Sequence, residues 1–375
     1  MRSVFRPFLI LAFGVAVFSC KKENAAKPSP PPIYRDTFGG GPYLYVGGFA
    51  GNEGICWKIA LLKPGTNPVA DTLAGSRYIT SIVASTAPDT SILSSGGGLN
   101  PKLTSGGVVY MAGQTGGYYR NDSFVAIPGA TAVQYLAMSG TSLYAAGFDN
   151  SGNPACWRNN SEGNLGNTIS STQFPYMGTS SLQISGLAAS DYNVLISGSL
   201  FFENENSAPD SAPEGNFGLL WNNGSLAIYG SGALLGAAFP VTVGVAASGN
   251  DIYVAGTYPS NTGKADSGGY WKNGIWNLIN NGAFIPASAA GFGTDIYIPG
   301  YIYTYSPTYS EQAAYWKNGN LVLLNGNAAI AITVYASDVY VLGVDRNNNF
   351  VVWKNGSLFE TLGANVAWAS CLAIG

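Results

Sequence analysis

Charged residues make up only 10% of this 375-residue chain, against roughly 25% in an average globular protein, while hydrophobic residues stand at an ordinary 46%. A formal net charge of −3 without any basic cluster argues against nucleic acid as a partner. Histidine is absent, which removes the commonest general base and the imidazole metal ligand together, so neither a metal nor a cofactor is expected.

At the amino terminus Arg2 and Arg6 precede an apolar run from Phe8 to Phe18, then Ser19, Cys20, Lys21 and Lys22. A charged start and a short apolar core read as an export signal over residues 1–19, too short for a comfortable membrane span. The segment Val17-Phe18-Ser19-Cys20 resembles the lipobox of bacterial lipoproteins, with Phe18 where a smaller residue is usual. That resemblance implies cleavage before Cys20, lipidation of Cys20 and anchoring to the outer membrane, on its periplasmic or its exterior side. Residues 20–33, with Pro28, Pro30, Pro31 and Pro32, cannot bury a core and read as a tether. Residues 34–375 then form one folded body.

Within that body a unit recurs seven times. A strand ends in Gly at Gly48, Gly113, Gly147, Gly198, Gly256, Gly300 and Gly343, and an aromatic anchor follows at Trp57, Tyr119, Trp157, Trp221, Trp271, Trp316 and Trp353. Trp57 and Trp353 are 296 residues apart over six intervals, about 49 per unit, close to the period of a four-stranded propeller blade. Small-residue segments such as Val241 to Ala247 precede the glycine-ended strands and suit an innermost position crowded around an axis. Asn-Gly follows the anchor at Asn223-Gly224, Asn273-Gly274, Asn318-Gly319 and Asn355-Gly356, as a two-residue hairpin to an outer strand requires.

The first unit lacks the small-residue segment, and one appears instead at Asn365 to Ala373, after the seventh unit. Pairing that tail with Tyr43 to Gly48 closes the ring and removes two exposed edges. The expected fold is therefore all-β: a seven-bladed β-propeller of four-stranded antiparallel blades, closed by its carboxy-terminal strand. The glycine-ended strand followed by a third-strand Trp resembles kelch-type propellers, although only Gly47-Gly48 keeps a double glycine. The Tyr-Trp-Lys-Asn-Gly copies, as at Tyr270 to Gly274, resemble tandem repeats of Gram-negative bacterial lipoproteins.

Anchors that recur at one position read as packing between blades rather than as ligand contacts. Cys56 and Cys156 fall at equivalent positions of different blades, too far apart to bridge, and with Cys371 they read as buried thiols. Measured from strand-ending Gly to anchor, the loops span 9, 6, 10, 23, 15, 16 and 10 positions, so blades 4 to 6 carry one thickened rim. In blade 2 a Ser/Gly-rich stretch, Ser85 to Gly107, separates the first two strands and reads as a flexible insertion.

Along the rim Tyr301, Tyr303 and Tyr305 alternate, which puts them on one side of an extended segment. Tyr309, Tyr258 and Phe202 adjoin them in sequence or from neighbouring loops, with Phe201 beside Phe202. Aromatic faces bordered by Asn and Ser suit sugar rings, and a hairpin extension packed on its own tyrosines is the structural alternative. Glu203, Glu205, Asp210 and Glu214 in the blade 4 loop are the candidate acids for glycoside chemistry, against a solvated acidic loop. Asp149 to Asn153 and Asp345 to Asn349 have calcium-like composition, but turn chemistry accounts for it.

The expectation is a non-catalytic scaffold that binds a glycan or a protein through the loop face over blades 4 to 6. An enzyme acting on polysaccharide and a structural subunit of a surface assembly are the competing classes. Lack of histidine and scarce charge weigh against the enzyme, although fold does not fix function.

Overall fold

Every glycine-ended segment forms the second strand of an antiparallel meander. The computed structural model describes residues 42–62, 68–73, 78–85, 108–121, 123–163, 165, 180–190, 193–202, 215–229, 241–258, 267–304, 309–363 and 366–375. We letter the strands of each blade a to d, outward from the axis. Blade 1 takes strand a, Trp368–Ile374, from the end of the chain and strands b to d, Tyr43–Ala50, Glu53–Ala60 and Val69–Leu73, from its start. Blade 2 has Ser81–Ala84, Val109–Thr115, Gly117–Arg120 and Ser123–Ala126; blade 3 has Ala130–Ser139, Ser142–Asp149, Pro154–Arg158 and Ser161–Gly163. Blade 4 has Ser180–Ala189, Val194–Phe202, Gly215–Asn222 and Ser225–Tyr229; blade 5 has Val241–Ser248, Asp251–Tyr258, Ser267–Lys272 and Ile275–Leu278. In blade 6 strand a is split into Phe284–Pro286 and Ala290–Phe292, before Asp295–Thr304, Ser310–Lys317 and Asn320–Leu323. Blade 7 has Ala328–Tyr335, Asp338–Val344, Phe350–Lys354 and Ser357–Thr361.

Each a strand touches the a strand of the next blade, and the contacts run in a closed cycle from blade 1 through blade 7 and back. The closing strand pairs along Tyr43–Ala50, from Leu44↔Ile374 to Phe49↔Trp368, as the tail reading requires. The simple plan is broken in two places. Blades 2 and 3 are joined into one sheet by a single pairing, Thr115↔Val133, where strand b of blade 2 bulges at Gly113 and Gln114. In blade 6 Pro299 has no N–H to give, so the inner ladder breaks opposite it and only the Pro299 carbonyl is used, by the Ala287 amide at 2.8 Å.

The repeated Gly and the repeated Trp turn out to be one device. In blades 1, 3, 4, 5 and 7 the inner strand carries a one-residue bulge next to the glycine, at Ser370, Gln134, Ser185, Val243 and Ile330. The bend presses an inner-strand carbonyl onto the glycine Cα, so that a Cβ on Gly256 would overlap Val241 O and lie 2.8 Å from Trp271 Cζ3. A Cβ on Gly343 would likewise meet Ala328 O and sit 2.5 Å from Trp353 Cζ3. Absence of a side chain thus lets the indole of strand c lie over strand b, and all seven anchors, including Tyr119, are buried.

Hydroxyls at or beside the bulges and breaks of the inner strands also reach sideways. Ser370 Oγ donates to Ile79 O at 2.6 Å, Thr80 Oγ1 to Gln134 O at 2.7 Å and Ser288 Oγ to Ile330 O at 3.0 Å, each crossing to the next blade. Ser185 Oγ meets Thr242 Oγ1 at 2.9 Å in the same sense. This belt satisfies polar groups that the crowded axis would otherwise leave unpaired.

The ring has two unlike faces. The a–b and c–d turns lie on one, the turn face; the b–c loops and the crossovers between blades lie on the other, the loop face. On the turn face the Asp, Lys and Asn of the repeat form a clamp. Asn273 Oδ1 accepts from the Ile252 amide at 2.8 Å, Asn273 Nδ2 donates to Asp251 Oδ1 at 2.7 Å, and Lys272 Nζ meets Asp251 Oδ2 at 2.7 Å. Asp295, Lys317 and Asn318 repeat this in blade 6, and Asp338, Lys354 and Asn355 in blade 7. The clamp holds the Asp251 carboxyl below the usual carboxylate range, chiefly through Lys272, and pushes Lys272 up to about 12. Asn273 (φ 49°) and Gly274 (φ 85°) supply the left-handed pair of the predicted hairpin turn.

Candidate ligand-binding face

Several predicted residues fall outside the described ones: Cys20, Tyr305, Glu203, Glu205, Asp210 and Glu214, together with Ser/Gly-rich residues 86–107 and loop residues 203–214 and 259–266. Phe202 ends strand b of blade 4, paired with Ser180 and Gly215. The blade 6 rim is not the long loop that the spacing implies. Strand b continues past Gly300 to Thr304, and Tyr301↔Ala313, Tyr303↔Glu311 and Thr304↔Ser310 extend the hairpin. Tyr, Ile and Thr favour a pleated ladder, and that preference wins over the turn-like spacing.

Alternation assigns sides along this arm. Ile296, Ile298 and the partly buried Ile302 pack with Ala246 and Ala255 of blade 5, whereas Tyr297 packs with Val341 and Trp353 of blade 7. Tyr301 and Tyr303 share the parity of Tyr297 and therefore look toward blade 7. Tyr258 has the parity of Val254, which packs with Leu195 and Leu220 of blade 4, and its ring lies 5.7 Å from that of Trp276. Two sheets, those of blades 5 and 6, stand between Tyr258 and the Tyr301–Tyr303 pair. Among the described residues, Tyr258 and the Tyr301–Tyr303 pair accordingly do not form one platform, because consecutive b strands offer opposite-parity residues to the same gap.

What the loop face assembles instead is a lip across blades 6 and 7. The hydroxyl of exposed Tyr309 donates to Glu311 Oε1, directly across from Tyr303. Arg346, in the b–c loop of blade 7, donates from Nη1 to Glu311 O at 2.9 Å and ties the two blades together. Thr304 Oγ1 and Ser310 Oγ lie 2.7 Å apart at the end of the arm, and Asn327 Nδ2 donates to Asn348 Oδ1 at 3.3 Å.

The aromatic arc continues beyond the predicted rim. Trp368, where the closing strand enters blade 1, is 42% exposed, and its ring stands edge-on to Phe350 of blade 7, centroids 5.8 Å apart. Its cross-strand partner Phe49 stands edge-on to Tyr78 at 4.7 Å. Sequence reasoning missed Glu311, Arg346 and Trp368. Trp368 did carry a signal: it is a Trp on the closing strand, outside the anchor register and flanked by alanines.

The carboxylates of both Asp/Asn clusters are engaged, Asp345 at this lip and Asp149 in blade 3. Asp345 Oδ1 accepts from the amides of Asn347 and Asn349, both at 2.8 Å, and Asp149 does the same with Ser151 and Asn153, so both Asp/Asn clusters are turns closed on their own acids. Burial pushes the thiols of Cys156 and Cys371 up to about 12; Cys56 and Cys156 are buried and Cys371 is half-buried, and none forms a disulfide.

No protein-family model matches the chain, and no curated protein sequence matches it. Among solved structures it is similar to the beta-propeller domain of the Trilobed protease from Pyrococcus furiosus, at 11% identity over 88% of this chain and 96% of that one, TM-score 0.46. AztD from Citrobacter koseri matches at 10% identity over 89% and 97%, TM-score 0.38. Aleuria aurantia lectin in complex with alpha-methyl-L-fucoside matches at 11% identity over 77% and 96%, TM-score 0.32.

Proposed function

We propose that this chain is a non-catalytic binding scaffold that holds a glycan on its loop face, at the lip across blades 6 and 7. One observation carries the reading: an extended hairpin arm sets Tyr301 and Tyr303 on a single side, beside exposed Tyr309 and the exposed guanidinium of Arg346. Stacking surfaces, hydroxyls and amides on a rigid ladder are what recognition of a neutral sugar needs, since its C–H faces lie on aromatic rings while its hydroxyls take hydrogen bonds. Two-carboxylate glycoside hydrolysis needs a pair of available acids, and at this lip the Glu311 and Asp345 carboxyls already accept from Tyr309 and from turn amides. Lipid on Cys20 would hold the scaffold to the outer membrane by a proline-rich tether.

The test is binding of the chain from Tyr34 to Gly375 to a broad panel of bacterial, plant and host glycans, beside a Tyr301→Ala/Tyr303→Ala variant. Each lost stacking ring should weaken binding about tenfold. Equal binding by the variant would displace the site. Absence of binding to any glycan by folded protein would replace the glycan with a protein partner.

A further inference from the structure

Exposed apolar side chains also lie on the opposite face, most of them on one arc of the ring, with Phe124 of blade 2 beyond it. Ile275 follows the c–d turn of blade 5, Phe292 and Tyr335 end the inner strands of blades 6 and 7, Leu358 begins the outer strand of blade 7 and Leu62 follows strand c of blade 1. Their exposures run from 39% for Tyr335 to 72% for Leu62. The same arc carries the ion pairs of Lys272, Lys317 and Lys354 with Asp251, Asp295 and Asp338, at 2.7 to 2.9 Å, and in blade 1 Lys58 Nζ lies 4.0 Å over the Tyr43 ring. The chain enters the propeller on this arc too: Pro42 O accepts from the Leu61 amide and Tyr43 pairs with Gly375.

We infer that the turn face over blades 5, 6, 7 and 1 rests on a zwitterionic phospholipid surface, with the loop face turned away from it. The inference deepens the proposed function and rests on its lipid anchor at Cys20. Twenty-one residues lie between Cys20 and Pro42, a reach of at most about 75 Å, which keeps the body at high effective concentration near the bilayer. At such concentration a few shallowly inserted Phe, Tyr, Leu and Ile side chains suffice to orient it, with lysine stems lying alongside and their charges in the headgroup layer. The loop face exposes Trp368 and Tyr309, and Leu278 and Leu323 at the loop-side ends of the outer strands of blades 5 and 6, whereas Pro42 opens the described chain on the turn face. The three ion pairs add no net charge that would favour anionic over zwitterionic lipid.

The experiment uses the full chain made in a Gram-negative cell. Mass spectrometry of Cys20 decides the anchor reading by itself. For docking, an environment-sensitive fluorophore is placed at Thr294→Cys on the turn face or at Asn347→Cys on the loop face, in vesicles of phosphatidylethanolamine and phosphatidylcholine that contain spin-labelled lipid. Quenching should be several-fold stronger at position 294 than at 347, and Ile275→Ser/Phe292→Ser/Tyr335→Ser should bring position 294 down to the level of 347. Equal quenching at both positions, or stronger quenching at 347, overturns the inference. If Cys20 carries no lipid, the anchor reading fails by itself, and the same comparison on chain held by an amino-terminal hexahistidine to nickel-chelating lipid still decides the docking face.

Discussion

Blades 5, 6 and 7 and blades 2, 3 and 4 are built on one plan, yet only the first group keeps the full turn-face clamp. In blade 4 Asn193 and Asn222 stand where Asp and Lys are found in blade 5, and Asn223 Nδ2 reaches Asn193 Oδ1 at 3.0 Å. In blade 3 Ser142 and Arg158 take those places, with Arg158 Nη2 donating to Ser142 Oγ at 3.1 Å. Across these six blades the asparagine is constant, although blade 1 has Ile59 in its place: Asn121, Asn159 and Asn223 accept from amides at the start of their b strands at 3.0, 2.9 and 2.8 Å, as Asn273 does in blade 5. All four adopt positive φ, between 45° and 49°. Ion pairs on a wet surface contribute little, whereas an unpaired strand amide and a wrongly turned hairpin are costly. Comparison of blades within the one molecule thus separates what the fold needs from what it tolerates.

The largest effect should come from what both groups share. Trp353→Ala empties a fully buried position over Gly343 and should cost about 3–5 kcal/mol, read as a shift in the urea midpoint. A smaller loss separates the constant asparagine from its variable partners. Asn273→Ala leaves the Ile252 amide without an acceptor and forces alanine into a left-handed conformation, for about 2 kcal/mol, while Asn273→Gly recovers the turn and should regain part of it. Equal losses from the two variants would mean that turn conformation plays no part.

The smallest effect belongs to Lys272→Met, which should leave the urea midpoint near its original value at neutral pH. Its signature is in the acid limb. Asp251, Asp295 and Asp338 have folded-state values below the ordinary 3.8, so their contribution is complete above that value and fades as pH falls through the depressed range. Lys272→Met should narrow that acid dependence by the share of Asp251; an unchanged acid limb would show the blade 5 pair to be inert.

Fold was legible because Gly and Trp repeat at fixed offsets and because steric exclusion at the inner-strand bulge leaves little choice at the glycine. The closing strand was legible from what the first unit lacks. The clamp was not, although Asp251 and Lys272 both lie in the most regular copy, since their contact depends on the register Tyr253↔Lys272 rather than on any spacing. At the candidate site alternation placed Tyr301 and Tyr303 together. Tyr258 went astray because parity along one strand does not say which neighbouring blade it addresses. Arg346 looked like part of a turn, and its reach to Glu311 O spans 35 positions of sequence.

Blade 1 has a temporal consequence. Its strand b finds its inner partner only when Trp368–Ile374 emerges, so six blades can be present while the ring is still open. Until then the b strand of blade 1 offers an unpaired edge to any passing chain. A nascent molecule is therefore most vulnerable at this strand, and the arrival of Trp368–Ile374 decides whether a closed ring or an aggregate results.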